Sequence, residues 1–555
     1  MNRGVAPFFL VLAALACAPV WAVDYFITQD GPAHAYSASL MLRLLGGDTS
    51  AAQLFALNPW TVSNSIGHWL LVLLLTAVSP FTATKIMVTL TYAGVVGAVG
   101  FLRLATVGRD GLLTSLLFGA AIGFNWLWLG GLYNFLIGAI GLAVTLGLFC
   151  RWQAQLSAVR VLGLAALILL VYVSHIVTFG VLVAALMLVA VLSEPRARRH
   201  TCPRVLVALL PVVLLALLYG SAEPALGGER LFPVWRRLSD PWSIVSWASH
   251  IRTADPFFLL SRKAFPFSTA TSSAFAVFTP LLWLLVAAAA LAWTTVSRHT
   301  AGATHAAARQ RLPLVAVFAA CALAAAFGPD DFGTSHGTLL RERLAFLAAV
   351  LFVPLYRTDV GTRATRTLAH VCLGGIILFQ SAALWEYARH TSREAGEFLA
   401  IGDALGGQAS LASVIVLENG MRFHSNPTAE LSNFLGIGRR TVVWDNYQIG
   451  YTLFPVVAQE PAHRRFVFDL TSVNVLDEAE PTAVWDAKVA RLAAFFAANH
   501  LKIETILVWR RHPQVEAVLG RWYEVEPFSE HGRGRLYRRR PETAATWRAP
   551  NPGAR

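Results

Sequence analysis

Charge is what this sequence has least of. Of its 555 residues, 14% are Asp, Glu, Lys or Arg, and 56% are hydrophobic. A soluble domain carries roughly 25% charged residues. The deficit, together with long apolar runs, excludes an ordinary soluble globular protein and points to a chain that crosses a membrane many times. Cysteine is also scarce. Cys17, Cys150, Cys202, Cys321 and Cys372 show no C-x-x-C spacing, which excludes a cysteine metal centre of that kind. The net charge of +13 does not imply a nucleic-acid partner, because membrane proteins gather Lys and Arg in their cytoplasmic loops.

What is present is a series of apolar segments. They cover 5–23, 84–102, 111–125, 132–150, 205–220, 275–296, 311–328, 339–356 and 367–386. The stretch 161–193 is broken by "SHIVTF" and reads as two short spans or a helix and a re-entrant piece. Arginines fall between the segments at 103 and 109, at 151 and 160, from 196 to 204, at 298, 309 and 311, and at 357, 363 and 366. If all these loops are cytoplasmic, 161–193 crosses twice. Residues 66–79 are apolar, but about 14 residues of helix reach only ~21 Å against a ~30 Å core. They read as a helix lying on the outer face. The expectation is a polytopic α-helical membrane protein of about eleven spans, N-terminus in and C-terminus out. Residues 1–22 could instead be a cleaved leader, although "CAPVWAV" fits a cleavage site only loosely. The expected outer segments 24–83, 221–274 and 387–555 hold no cysteine, in keeping with an oxidising side.

Beyond about residue 387 the apolar runs shorten. "SVIVLE", "RTVVWD", "RRFVFDL", "IETILVW" and "GRLYRR" read as strands. Residues 484–500 and 513–522 read as helices. The expectation is an extracytoplasmic α/β domain over 387–540, after a membrane domain over 1–386, with a disordered tail at 541–555. Neither a phosphate loop nor G-x-G-x-x-G occurs in it. Its bland reading is a structural cap on the membrane part.

The polar residues at span ends gather on the outer side. Candidates are Asp30 and His34 in "QDGPAH", His68 and Lys85, Tyr133 and Asn134 in "FNWLWLGGLYNF", His175, and His336, Arg341 and Arg343 in "GPDDFGTSHGTLLRERLAF". Ionisable groups at membrane depth are costly and are functional candidates. Asp30 before Gly31-Pro32 is read two ways, as the N-cap of a helix or as an active-site acid. Lys85 either snorkels or meets an anion. Arg343 suits a phosphate. His175 is either a helix-end hydrogen bonder or a base.

This layout resembles the GT-C superfamily of integral-membrane glycosyltransferases. The "QDGPAH" of 29–34 sits where that superfamily keeps its first-loop acid. "SNSIGHWLLVLLLTAVSPFTATKI" of 63–86 is similar in layout to the matching stretch of the aminoarabinose and protein mannosyl transferases. The resemblance implies inverting transfer of a sugar from a polyprenyl-phosphate-linked donor to a glycan, lipid or protein acceptor, at the outer face of a bacterial inner membrane. Asp30 would be the general base. His34, His68, Lys85, Tyr133, Asn134, His175, His336, Arg341 and Arg343 would bind substrate. The sequence departs from the superfamily in having Gly31 where many relatives have a second acid, which counts against a two-acid metal site in the first loop and leaves a divalent cation, Mg or Mn, as an open cofactor. No W-W-D motif is present. Two other readings stay open: a non-catalytic envelope-assembly protein of the same fold, and a transporter or flippase for a lipid-linked saccharide, which would need polar groups through the depth of the bundle.

Overall fold

The computed structural model describes residues 5–58, 63–192, 195–222, 242, 256–257, 305–330, 339–356, 363–405, 410–417, 423, 425–526 and 532–541. The helices come first. They are α1 (Val5–Trp21), α2 (Gly31–Leu45), α3 (Ile66–Leu75), α4 (Pro80–Thr106), α5 (Leu112–Gly123), α6 (Tyr133–Trp152), α7 (Ala158–Ser174), α8 (Ile176–Val191), α9 (Pro195–Ala222), α10 (His305–Phe327), α11 (Leu340–Phe352) and α12 (Arg363–Ala400). Among the described residues, four stretches are long and apolar enough to cross a membrane: Pro80–Thr106, Tyr133–Gln155, Arg198–Leu218 and Arg366–Ala404. The expected span at 275–296 and most of the loop 221–274 lie outside the described residues.

Local chemistry explains the helix boundaries. Ser79 caps α4 by accepting from the Thr82 amide, and Pro80 supplies a pre-set φ at the first turn. The break foreseen in 161–193 falls at His175, whose extended backbone (φ −165°, ψ 130°) separates α7 from α8. The short apolar segment forms the separate helix α3. It buries Gly67, His68 and Leu71 on one face and exposes Trp69 and Leu73 on the other. Arg103, at the far end of α4, is fully buried. It donates to the carbonyls of Asp110, Val353 and Tyr356 and lies over the Tyr356 ring.

The second half carries a six-stranded sheet. Strands β2 (Ser410–Leu417), β3 (Val442–Val443), β5 (Val475–Asp477) and β6 (Thr505–Trp509) are parallel. Strands β7 (Tyr523–Val525) and β8 (Gly534–Arg539) extend the β6 side antiparallel. The β2 and β6 residues are buried almost throughout, as central parallel strands should be. Around the sheet lie α13 (Pro461–Thr471), α14 (Thr482–Asn499) and α15 (Pro513–Leu519).

One strand expectation fails. "RRFVFDL" is part of α13. Pro461 opens the helix, Phe466, Val467 and Leu470 bury at helical spacing, and Arg465 pairs with Asp469 one turn on. The run of apolar residues was short enough to mimic a strand.

Three findings tie the halves together. Strand β1 (Phe55–Leu57), in the segment between α2 and α3, pairs antiparallel with β4 (Val456–Ala458). Helix α2 also packs Tyr36, Leu40 and Met41 into the same core as Ile415, Phe496 and Trp509. Helix α12 runs without interruption through residue 386 to Ala400, and its Glu394 meets Arg510 and Arg533 of the sheet domain.

Candidate active site

The backbone around Asp30 is held by the turn in "FNWLWLGGLYNF". The Gln29 amide donates to the Leu129 carbonyl at 3.0 Å and the Asp30 amide to the Gly130 carbonyl at 2.9 Å. Gly31 makes this approach feasible. A β-carbon there would come within 2.9 Å of the Tyr133 hydroxyl and overlap Thr28. Thr28 and Tyr133 themselves share a 2.9 Å hydrogen bond.

Asp30 stands at the N-cap position of α2, yet its side chain makes no cap hydrogen bond. The carboxylate turns away from the helix. Its Oδ2 accepts from the Tyr447 hydroxyl at 2.9 Å, and the Gln29 side chain bonds it as well. Arg343 is the nearby cation acting on it. Burial pushes the Asp30 carboxyl up to about 6, against the opposing pull of Tyr447, Arg343 and Gln29.

Arg343 is buried near the start of α11, with its guanidinium 5.8 Å from the centre of the Phe135 ring. Its Nε has no hydrogen-bond partner among the described residues. A buried guanidinium donor left unpaired is costly, and an anion would remove that cost.

Behind Asp30 lies a polar seam. His34 Nδ1 and His68 Nε2 are 3.0 Å apart. Gln448 bridges them, its Nε2 3.0 Å from His34 Nδ1 and its Oε1 2.9 Å from His68 Nε2. Asn134 accepts from the Gly67 amide and donates to the Asn64 carbonyl, which also faces His68 Nδ1. Burial lowers the His68 imidazole to about 4, and burial reinforced by His68 lowers His34 well below the usual imidazole range. Both rings are neutral at pH 7. They serve as hydrogen-bonding struts between α2, α3 and the sheet domain.

The remaining candidates divide. His175 caps α8, with its Nδ1 accepting from the Val177 amide, and its ring meets Phe135 edge-on. Arg343 is the neighbouring charge that acts on it. Arg341 turns elsewhere, donating to the Ala325 carbonyl and to Asp330. Lys85 is not brought to Asp30. Its ammonium donates to the Val23 carbonyl and faces the Trp21 ring, with Asp24 as its neighbouring charge. His336 lies outside the described residues.

Sequence reasoning missed the contribution of "WDNYQIGY", residues 444–451. Asn446 donates to the Ala33 carbonyl and Ser37, Tyr447 reaches Asp30, and Gln448 enters the histidine pair. Glu430 lies on the loop after β2, and burial, reinforced by the neighbouring Asp445 and Asp30, raises its carboxyl well above the usual range. A dense run of aromatic and amide residues just after a strand was the available signal. The full positive charge neighbouring Asp30 is Arg343, and no three His, Cys, Asp or Glu side chains come together among the described residues.

No protein-family model matches this sequence, and no curated protein matches it. Among solved structures, the chain is similar to ArnT from Cupriavidus metallidurans in the apo state, at 13% identity over 96% of this chain and 97% of that one, with a TM-score of 0.41. At that level of superposition the likeness carries no argument about activity.

Proposed function

We propose that this protein is a membrane glycosyltransferase that moves a sugar from a polyprenyl-phosphate-linked donor to an envelope acceptor at the outer face. The observation that carries the proposal is the pairing of a buried, uncapped Asp30 with a buried Arg343 whose Nε lacks a partner among the described residues. Asp30 takes the proton of the acceptor hydroxyl as that oxygen attacks the anomeric carbon. The bond from that carbon to the lipid phosphate oxygen breaks on the opposite side, so the configuration inverts. The leaving group departs as polyprenyl phosphate. It is an anion and needs a cation rather than a strong acid, which is the role given to Arg343. A carboxyl titrating near 6 is mostly ionised at pH 7 yet basic enough to accept a proton. The acid and the cation come from opposite ends of the membrane half, and the seam of His34, His68 and Asn134 fastens α2, which Asp30 precedes, to α3 and α6.

The test is Asp30→Asn in the full chain, with insertion and folding verified, followed by analysis of envelope glycans and glycolipids. Loss of a defined product supports the reading. An unchanged product profile removes Asp30 as the base and returns the protein to the non-catalytic reading.

A further inference from the structure

The site is built from two distant halves of the chain. We propose that Tyr447, supplied by the C-terminal sheet domain, is the positioning residue of Asp30, so that the base is assembled only when that domain is docked on the first outer loop. This rests on the transferase reading for its kinetic consequence, but its structural content stands apart from it.

The argument begins with how Tyr447 is held. Its neighbours on both sides are fully buried and fastened to α2: Asn446 through the Ala33 carbonyl and Ser37, and Gln448 through His34, His68 and Ser37. Tyr36 of α2 donates to the Thr441 carbonyl and accepts from the Val443 amide, just upstream. The Asn426 amide donates to Gln29, the residue before Asp30. Every one of these bonds joins the first outer loop to the sheet domain. Tyr447 therefore has little freedom, and its hydroxyl arrives at Asp30 Oδ2 in a fixed direction.

The consequence is chemical. A carboxylate offers about four acceptor sites, and Tyr447 takes one of them, leaving others for an acceptor hydroxyl. The bond orients the carboxylate and favours its ionised form. The other groups facing Asp30 are Gln29 from its own segment, Tyr133 from α6, Arg343 from α11 and Glu430 from the loop after β2. Removing the phenol hydroxyl alone leaves those in place. The carboxyl then holds its proton to a higher pH.

The experiment compares wild type, Tyr447→Phe, Asp30→Asn and the double variant, each as the full chain in detergent. The first readout needs no substrate. The difference in thermal midpoint between wild type and Asp30→Asn, followed against pH, reports the titration of Asp30. In the Tyr447→Phe background that curve is expected to move up by about one pH unit. The second readout is transfer from a polyprenyl-phosphate sugar. The acid limb moves by the same amount, which is about a fivefold loss at pH 6 and almost none at pH 8 by fraction ionised, with KM little changed. A folded Tyr447→Phe protein with neither curve moved overturns the proposal. If transfer depends on Asp30 and Tyr447→Phe is indistinguishable from wild type, the proposal fails and the transferase reading stands. If the stability curve moves and wild type transfers nothing, Tyr447 positions Asp30 and the transferase reading fails.

Discussion

Asp30 and Asp445 are both buried, and burial raises each to about 6. Their surroundings differ. Asp445 lies inside the sheet domain and is wrapped by donors: the Ser413 amide at 3.1 Å, the Ser413 hydroxyl, and the Ser432 hydroxyl at 2.7 Å. Those groups belong to strand β2 and the loop beyond it, and all of them reach Oδ2, while Oδ1 has no hydrogen-bond partner among the described residues. Asp30 lies at the seam between membrane helices and sheet domain, and it faces a phenol and a guanidinium with an unpaired donor. A shifted titration alone therefore does not mark a site. What distinguishes the two acids is where they stand: Asp445 is enclosed by groups of its own domain, whereas Asp30 faces a cation that has a donor left for a ligand. Two of the buried arginines repeat the lesson. Arg103 donates to three backbone carbonyls, whereas Arg343 Nε donates to nothing described.

The contrast between the two acids can be broken most sharply by activity. Asp30→Asn is expected to lose about 10²–10⁴-fold in transfer rate, the usual contribution of a general base. Asp445→Asn, in whatever fraction folds, keeps the rate. Equal losses in a product assay, normalised to folded protein, would erase the distinction.

The arginine contrast is next in size. Arg343→Gln is expected to weaken polyprenyl phosphate binding by about tenfold to a hundredfold, with the thermal midpoint little changed. Arg103→Gln is expected to cost about 3 kcal/mol of stability, since it strands buried carbonyls. A native-state binding titration and a thermal melt on each variant separate the two outcomes.

The pH dependence of stability follows from the raised carboxyl. The ordinary Asp value is 3.8 and Asp30 sits at about 6, so the folded state holds this proton more tightly than the unfolded one. The stability it contributes is fully present below 3.8 and is lost as pH rises through about 6. Asp30→Asn removes that loss. The variant should equal wild type at pH 4 and exceed it by about 1–3 kcal/mol at pH 8, while being inactive. Melts across that range would show the reverse if Asp30 were a structural acid.

The smallest effect is assigned to Lys85. It faces Trp21 and the Val23 carbonyl rather than Asp30. Lys85→Gln should change polyprenyl phosphate binding by less than about twofold, below the Arg343→Gln effect, because a cation this far from the site acts through screened charge. A loss as large as that of Arg343→Gln would bring Lys85 back to the phosphate.

Much of this was open to reading in the residues. The charge deficit marked the membrane class, and "SHIVTF" marked the break that His175 makes between α7 and α8. "QDGPAH" announced a helix start with an acid before it, and "FNWLWLGGLYNF" a polar turn at the same level. Strands β2, β6 and β8 followed from short apolar runs. These are local properties, set by backbone geometry and side-chain period within a few residues. "RRFVFDL" shows the limit, since seven residues do not hold enough period to separate helix from strand.

Whether Asp30 caps its helix or faces a partner was undecidable from local pattern, because both uses place the same residue before the same Pro32. The tertiary structure chose between them. Tyr447 stands 417 positions away, and Gln448 stands 414 from His34. The pairing of β1 with β4 and the burial of α2 in the sheet-domain core bring those groups in. Such contacts depend on chain closure over hundreds of residues, and no short-range pattern encodes which distant side chain will arrive. The sequence alone determined what kind of chain this is and where an acid would stand. Only the packing of its two halves decided what that acid would face.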